Sequence, residues 1–234
     1  MLTIVGGNDP REAIGAAVCQ FSILRRTSKP VRFIPLLEKP LRWAGLYRRQ
    51  HEYRDGQLFD VISDAPMSTD FAITRFATPH LVRSGWALFC DFADMLFLAD
   101  VAELFALADD RYAVMVVKHD HDPQEATKFF GSAQQPYPRK NWSSLILWNC
   151  DHPANRERLT LDLINSAPGR DLHRFGWLDD SEIGGLPTAW NHLVGVHPET
   201  TPVKALHFTL GAPFVPGYEA GPYADLWHAE HAIL

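Results

Sequence analysis

The sequence has few cysteines and no pair of the kind that binds zinc. Cys19, Cys90 and Cys150 are the three cysteines in 234 residues, and each lies alone in an apolar segment. Structural zinc sites use C-x-x-C pairs, and disulfide frameworks need closely spaced cysteines. We therefore expect three small core residues in a protein of a reducing compartment.

The sequence also lacks a basic field and a long apolar run. Its formal net charge is -6 at pH 7, and its Lys and Arg residues are scattered, so nucleic acid is not an expected partner. No apolar run reaches the ~20 residues of a membrane helix, and the chain starts on a strand without a charged leader. We expect one cytoplasmic domain, residues 1–234, without a transmembrane segment.

The first forty residues have the pattern of a strand, a helix and a second strand. Residues 2–6 are apolar, and the turn that follows offers Asp9 as N-cap and Pro10 at the first helical position. Residues 11–26 have the spacing of an amphipathic helix, and residues 31–37 form the next strand. This pattern is half of a βαβ unit, which predicts a parallel start to the sheet.

Residues 86–107 combine an apolar strand with two bare carboxylates. Residues 86–90 predict a strand buried on both faces, which ends at Asp91, and Asp94 follows three residues later. Asp100 is an N-cap candidate with Glu103 at the capping-box position. One acid could cap the turn while the other pairs with a buried Arg. Two acids in an apolar frame need a cation or strong donors, however, and the carboxyl end of a central strand is where open α/β sheets bind ligands.

The rest of the chain alternates predicted helices and strands. We expect a loop with one short helix over 38–66, whose basic residues form a solvated surface or, alternatively, meet an anionic substrate. A helix should follow from Ser68 or Thr69 to about residue 84. Further strands are predicted at 112–117, 142–148 and 205–209, and a helix at 155–165. The alternating His and Asp residues of 119–122 suggest a metal site, but no distant ligand stands at zinc spacing.

Six segments together resemble a known family. They are LTIVGGNDPREA, STDFAITRF, FCDFADMLFLADVAELF, YPRKNWSSLILWNC, WLDDSEIGGLPTAWN and ALHFTLGAPF. Their order and spacing are similar to bacterial sugar-nucleotide glycosyltransferases of the GT-A fold, of the kind found in glycosyltransferase family 8 and the glycogenins. The resemblance implies an α/β fold with a mainly parallel central sheet flanked by helices, in which a D-x-D motif holds Mn²⁺ (or Mg²⁺) on the diphosphate of a nucleotide-sugar donor.

By this resemblance Asp91, Asp94 and His207 are the metal ligands. The spacing here is D-x-x-D, and residues three apart in an extended strand point to opposite faces. Both acids therefore reach one ion only if the chain turns at Phe92-Ala93. Alternatively, Asp94 alone binds the metal while Asp91 holds a sugar hydroxyl or a backbone donor. His207 between two apolar residues could instead be a core histidine.

The resemblance also implies residues that contact the donor and the acceptor. Gly6, Gly7 and Asn8 end the first strand, where the base and ribose should lie. Arg75 matches an arginine that faces the donor, although a surface ion pair is an alternative. The polar segment with Ser143, Ser144 and Asn141 should face the sugar, with Asn141 in a catalytic role.

Two further segments complete the expected site. Asp179 and Asp180 match an acidic pair with a catalytic role, which binds the hydroxyls of the donor sugar or the acceptor; a helix cap is the alternative. Thr209 and Gly211 would approach the diphosphate through backbone amides. The family's lysine after this glycine is replaced by Ala212-Pro213, which shifts the phosphate contact to Arg75, Arg139 or Lys140.

The sequence thus predicts a metal-dependent glycosyltransferase that moves a hexose from a nucleotide sugar, a UDP-sugar, to a glycan or another hydroxyl acceptor with retention. A binding protein that has lost turnover is an alternative, because the acid spacing and the missing lysine are what such a loss would produce. A metal-dependent hydrolase with Asp91 as nucleophile is the third hypothesis. It lacks a second acid two residues on.

Overall fold

The computed structural model describes residues 1–120, 139, 141–199 and 202–234. Their helices are α1 (Ala13–Arg26), α2 (Glu38–Trp43), α3 (Thr78–Val82), α4 (Val101–Phe105), α5 (Leu161–Ser166), α6 (Gly169–His173) and α7 (Ala224–His231). Their strands are β1 (Leu2–Gly7), β2 (Val31–Leu36), β3 (His51–Arg54), β4 (Gln57–Asp60), β5 (Ala65–Pro66), β6 (Trp86–Asp91), β7 (Met95–Phe97), β8 (Val114–Val116), β9 (Leu145–Asn149), β10 (Ile183–Gly185), β11 (His192–Leu193) and β12 (Ala205–His207).

The central sheet has six strands in the order β10-β8-β9-β6-β1-β2. β1 pairs in parallel with β2 and with β6, β10 pairs in parallel with β8, and β9 runs antiparallel to both β6 and β8. Five strands therefore run in one direction and β9 runs against them. The expected mainly parallel sheet with Asp91 at the carboxyl end of an interior strand is confirmed.

Alternate residues of β6 pack into two separate cores. Ala87 and Phe89 join the core on one side of the sheet, together with Val5, Ile146 and Trp148. Leu88 and Cys90 join the other core, which α1 covers through Ala16, Cys19 and Ile23. The continuous apolar run of this strand follows from burial on both faces.

A second, three-stranded sheet joins the C-terminal part of the chain to β7, which directly follows the acid-bearing stretch. β7 pairs antiparallel with β12, and β12 pairs in parallel with β11. α7 packs against α1, where the buried Glu230 accepts hydrogen bonds from Arg25 and Arg26. The segment after residue 205 is thereby fixed beside β7.

Several local predictions differ from the structure. Residues 38–66 contain α2 and a three-stranded sheet, β3-β4-β5, rather than a loop with one helix. Its ladder is stabilised by a buried ion pair between Arg49 and Asp60, which no local pattern predicts. The helix expected from residue 68 is a 3-10 turn, Thr74–Ala77, followed by α3. The helix expected over 155–165 divides into a π-helical turn, Ala154–Arg158, and α5. The Thr160 side chain caps α5 by accepting from the backbone N–H of Leu163.

Other expectations match the described residues. Asp100 caps α4 by accepting from the backbone N–H of Ala102. All three cysteines are buried and free, as expected of core residues. Among the described helices, none combines the length and the apolar character that crossing a bilayer requires.

Candidate active site at the carboxyl end of β6

The chain turns between the two predicted metal ligands. β6 ends at Asp91, the backbone N–H of Asp94 donates to the Asp91 carbonyl over 3.3 Å, and β7 begins at Met95. We call residues 91–94 the acid turn. The reversal at Phe92-Ala93 is the condition under which a D-x-x-D pair can face one ligand.

Gly6 and Gly7 lie directly beside the acid turn. In the pairing of β1 with β6, Gly6 is opposite Cys90 and Gly7 is opposite Asp91. A Cβ on Gly6 would lie 1.8 Å from the Phe92 ring, and one on Gly7 would lie 2.3 Å from the Phe71 ring. These glycines therefore admit two aromatic rings against the backbone, which is a packing reason for glycine at both positions. Asn8 follows, half-buried.

Arg75 is buried behind the acid turn, not on a helix surface. Its Nη2 lies 3.7 Å from Oδ2 of Asp91, and its Nη1 donates to the Ser143 carbonyl over 2.8 Å. Its guanidinium carbon lies 4.9 Å from the centroid of the Phe89 ring and 5.5 Å from that of Phe71. The surface alternative is wrong for Arg75. The guanidinium compensates the negative charge of Asp91 and, through its bond to the Ser143 carbonyl, connects Asp91 to the 143–144 segment.

A chain of hydrogen bonds determines which nitrogen of His207 carries a proton. The carbonyl of Asn141 can only accept, so the Ser144 hydroxyl donates to it over 2.7 Å. The hydroxyl then accepts from Nδ2 of the fully buried Asn191 over 2.9 Å. This leaves Oδ1 of Asn191 facing Nδ1 of His207 at 3.0 Å, so Nδ1 donates.

This assignment places the lone pair of a neutral His207 on Nε2, the nitrogen suited to a metal or a proton. Ser144, Asn141 and His207 are thus brought together by Asn191. Neighbouring Ser143 contacts His173 instead, with Oγ and Nδ1 2.8 Å apart.

The amides of the 209–211 turn already donate within the protein. Thr209 N–H donates to the His207 carbonyl, and Gly211 N–H donates to the Phe208 carbonyl. A Cβ on Gly211 would lie 2.5 Å from the Tyr218 ring. The glycine is therefore explained by the approach of Tyr218, and a diphosphate contact through these amides stays a prediction.

Asp179 and Asp180 lie elsewhere on the sheet. They precede β10, whereas Asp91 is the last residue of β6, and the two strands run in the same direction. Asp180 is exposed and pairs with Arg139, and the backbone N–H of Asp179 donates to the Glu182 carboxylate over 2.9 Å. These contacts match the helix-cap alternative, and the catalytic role of the pair stays a prediction.

Glu12 is an acid near the acid turn that the sequence did not single out. Its side chain is buried at 2% exposure, and Oε2 has no hydrogen-bond partner. Burial, together with the charges of Asp94 and Asp91, raises the pKa of Glu12 to about 9. By contrast, the adjacent Asp9 caps its turn as expected: burial alone would raise the pKa of Asp9, but the hydrogen bonds from Arg11 lower it below the usual value.

The chain has a plant relative of high similarity. No protein-family model matches it. Protein CDI from Arabidopsis thaliana is 45% identical over 227 residues, which cover 94% of this chain and 82% of that protein. The chain belongs to the Protein CDI family.

Solved glycosyltransferases have a similar fold. The apo structure of the bifunctional glycosyltransferase WbbM has a TM-score of 0.63 at 16% identity, and the match covers 99% of this chain. The glycosyltransferase GlyE from Streptococcus pneumoniae TIGR4 has a TM-score of 0.61 at 12% identity over 99% of this chain. An active-site mutant of LgtC has 0.62 at 14% identity, with 100% of this chain and 96% of LgtC covered.

This member of the Protein CDI family spans 49% of the WbbM chain and 61% of the GlyE chain. At such identities the likeness establishes a GT-A-like glycosyltransferase fold and leaves the reaction to be argued from the site. LgtC was also solved as a galactosyltransferase complex with donor and acceptor sugar analogs.

The residues at the acid turn fit a divalent cation in their chemistry. Two carboxylates and an imidazole suit Mn²⁺ or Mg²⁺, and Oε2 of Glu12 is a buried oxygen without a partner. Within the described ranges, no three His, Cys, Asp or Glu side chains are grouped closely enough to hold an ion. The ligands are therefore not preassembled. His121, Asp122 and Lys140 lie outside the described residues.

Proposed function

We propose that the protein is a glycosyltransferase that moves a hexose from a nucleotide sugar, a UDP-sugar, to a hydroxyl acceptor with retention, in the manner of family 8. The observation that carries the proposal is the meeting of three distant segments at the acid turn. Gly7 pairs with Asp91, Arg75 lies 3.7 Å from Asp91, and the N–H of Phe208 donates to the Asp94 carbonyl. The GT-A-like fold supports the assignment, and LgtC has been solved with donor and acceptor sugar analogs.

In this proposal Asp91, Asp94 and His207 hold the cation, Mn²⁺ or Mg²⁺. The cation, when bound, stabilises the negative charge that develops on the leaving diphosphate. The bond between the sugar's anomeric carbon and the diphosphate oxygen breaks, and a bond from that carbon to the acceptor oxygen forms. The acceptor hydroxyl gives its proton to the leaving diphosphate. Asn191 orients His207, and Arg75 contacts Asp91 and compensates its charge.

The donor and acceptor contacts follow the sequence resemblance. Gly6, Gly7 and Asn8 would bind the base and ribose, and Asn141, Ser143 and Ser144 would face the sugar. Asp179 and Asp180 would serve the acceptor only if they approach the donor during the reaction, because they precede β10. The predicted cytoplasmic location remains part of this proposal.

A thermal-shift screen of nucleoside diphosphates with and without Mn²⁺ tests the proposal. A ligand that binds only the folded state raises stability by ~2.7 kcal/mol at a hundredfold excess over its Kd. We expect UDP with Mn²⁺ to raise the melting temperature more than either alone, and the matching UDP-sugar to be consumed in the presence of acceptors. Absence of any nucleotide shift would contradict the proposal.

A non-catalytic nucleotide-sugar or glycan binding protein is the second candidate. Ala212-Pro213 stand where glycosyltransferase family 8 has a lysine. The nearby amides of Thr209 and Gly211 donate to carbonyls of the protein itself. The binding protein would give the UDP and Mn²⁺ shift but no donor consumption with any acceptor. Consumption of the donor by water alone would instead support the hydrolase.

A further inference from the structure

One face of α1 lies along the chain from the end of β6 to the end of β7. Three residues of the face, Gly15, Cys19 and Ser22, are buried and spaced three or four residues apart, so they form one row on the helix. Glu12, the buried N-cap residue of α1, precedes Gly15 by three residues and is counted as the first member of the row. We call this row the inner face of α1. Each of its last three members has a defined partner.

These three contacts establish the direction in which α1 crosses the sheet. Ser22 Oγ accepts from the backbone N–H of Phe97 over 3.0 Å. The thiols of Cys19 and Cys90 are in contact, and burial together with this contact raises the pKa of Cys90. A Cβ on Gly15 would lie 2.5 Å from the Ala93 carbonyl oxygen.

Gly15 contacts the middle of the acid turn, and the charges of Asp94 and Asp91 act on Glu12, three residues before Gly15. Glu12 is the N-cap residue of α1, so it lies at the end of the helix that contacts the acid turn. It is buried with its Oε2 unpartnered. A buried carboxyl oxygen without a donor near two more carboxylates is an unfavourable arrangement unless a proton or a cation neutralises the charge.

We propose that Glu12 is a further acidic residue of the cation site, and that its carboxylate binds the divalent ion or one of the ion's water molecules. The inference rests on the proposed function, because the ion is the one assigned to Asp91, Asp94 and His207. Hard divalent cations take several oxygen ligands, with water among them. The D-x-x-D pair would thus be supplemented by an acid from the first helix.

The test compares Mn²⁺ binding by wild-type protein and variants of the full chain, measured by electron paramagnetic resonance of free Mn²⁺ with inorganic buffer and no nucleotide. We expect Glu12→Gln to weaken Mn²⁺ binding at least about tenfold, as for other residues around metal ligands. The melting temperature of the metal-free variant should equal or exceed that of wild type, because the amide removes a buried carboxyl. If Glu12 had only a structural role, Glu12→Gln would lower the melting temperature and leave the Mn²⁺ affinity unchanged.

Glu230→Gln is the matched control. Glu230 is also a buried glutamate in contact with α1, but it pairs with Arg25 and Arg26 at the other end of the helix. Its neutralisation should lower the melting temperature and leave Mn²⁺ affinity unchanged. If Glu12→Gln fails to fold, Glu12→Asp keeps the charge on a shorter side chain and should bind Mn²⁺ more weakly than wild type.

The outcomes separate this inference from the function itself. Mn²⁺ affinity of Glu12→Gln within twofold of wild type overturns the role of Glu12, whatever the activity. Wild-type protein that binds UDP but neither Mn²⁺ nor Mg²⁺ overturns it too, while glycosyl transfer without a metal survives. Mn²⁺ binding that depends on Glu12, in a protein that binds no nucleoside diphosphate, supports the cation site and contradicts the transferase.

Discussion

The backbone N–H of Phe208 donates to the carbonyl of Asp94 over 2.8 Å, although more than a hundred residues separate them in the sequence. β12 pairs with β7 so that His207 is opposite Met95, the residue after Asp94. The histidine and the acid turn are therefore neighbours through backbone pairing. Four predictions follow from this and from other contacts of the site.

Asp94→Asn should abolish metal-dependent turnover of the donor while the fold stays intact. The substitution keeps the size of the side chain and removes the negative charge that a cation needs. Donor consumption measured with saturating Mn²⁺ should fall at least about a hundredfold, as for groups that act on developing charge. Asp162→Asn, on an exposed acid paired with Arg48, should keep full activity. Wild-type activity in Asp94→Asn would remove the acid turn from the mechanism.

Asn191→Leu should weaken Mn²⁺ binding and turnover about 10- to 100-fold, because His207 loses the partner that fixes its ring and its tautomer. Isothermal titration with Mn²⁺ gives the affinity. Asn155→Leu is the control for general destabilisation. Asn155 is equally buried and donates to the carbonyls of Ala113 and Asn149, away from the acid turn. Equal Mn²⁺ affinities in the two folded variants would contradict the role assigned to Asn191.

Arg49→Met should lower the free energy of unfolding by roughly 3 to 5 kcal/mol, because Asp60 is left buried without its partner. The pair is almost fully buried, and Arg49 also donates to the carbonyls of Ile164 and Ala167. Urea denaturation measures the loss, and the double variant Arg49→Met with Asp60→Leu should recover a large part of it. Activity per folded molecule should not change. A loss below about 1 kcal/mol, as for exposed pairs, would mean that the pair is hydrated in solution.

The contribution of Glu12 to the stability of the metal-free protein should fall as pH rises between about 5 and 9. Its pKa is raised from 4.5 to about 9 by burial and by Asp94 and Asp91. Below pH 4.5 the carboxyl is protonated in both states. Between pH 4.5 and about 9, unfolding releases a proton from Glu12. The contribution of Glu12 to the free energy of unfolding therefore falls as the pH rises.

The measurement is the difference between wild type and Glu12→Gln in urea denaturation at several pH values. One proton gives a slope of at most about 1.4 kcal/mol per pH unit in that difference. The free energy of unfolding of Glu12→Gln should rise relative to that of wild type as the pH rises from 5 to 8. Parallel pH profiles would mean that Glu12 has an ordinary pKa in the folded protein.

The central part of the fold was predictable because its signals are local. The apolar run that ends at Asp91, the cap at Asp100 and the turn after Gly7 are each determined by neighbouring residues. The hairpin of β3 and β4 was missed because His51–Arg54 is polar and mostly exposed, so neither its composition nor its burial differs from that of a loop.

The site was only partly predictable because its supporting contacts are distant in sequence. Asn191 belongs to the site through its hydrogen bonds to Ser144 and His207. Arg75 belongs to it through its contacts with Asp91 and Ser143. Glu12 reads as an ordinary acid in the first turn of a helix until the contact of Gly15 with Ala93 places it beside the acid turn.

The contact of Gly15 with Ala93 also affects how much order a ligand must create. An added methyl group would lie 2.5 Å from the Ala93 oxygen, so the helix and the acid turn touch through their backbones. The turn therefore cannot move toward α1 without displacing a fourteen-residue helix. A ligand that arrives there has only side chains left to immobilise, at about 0.5 to 1.5 kcal/mol each. The entropy of the surrounding backbone was already lost when the protein folded.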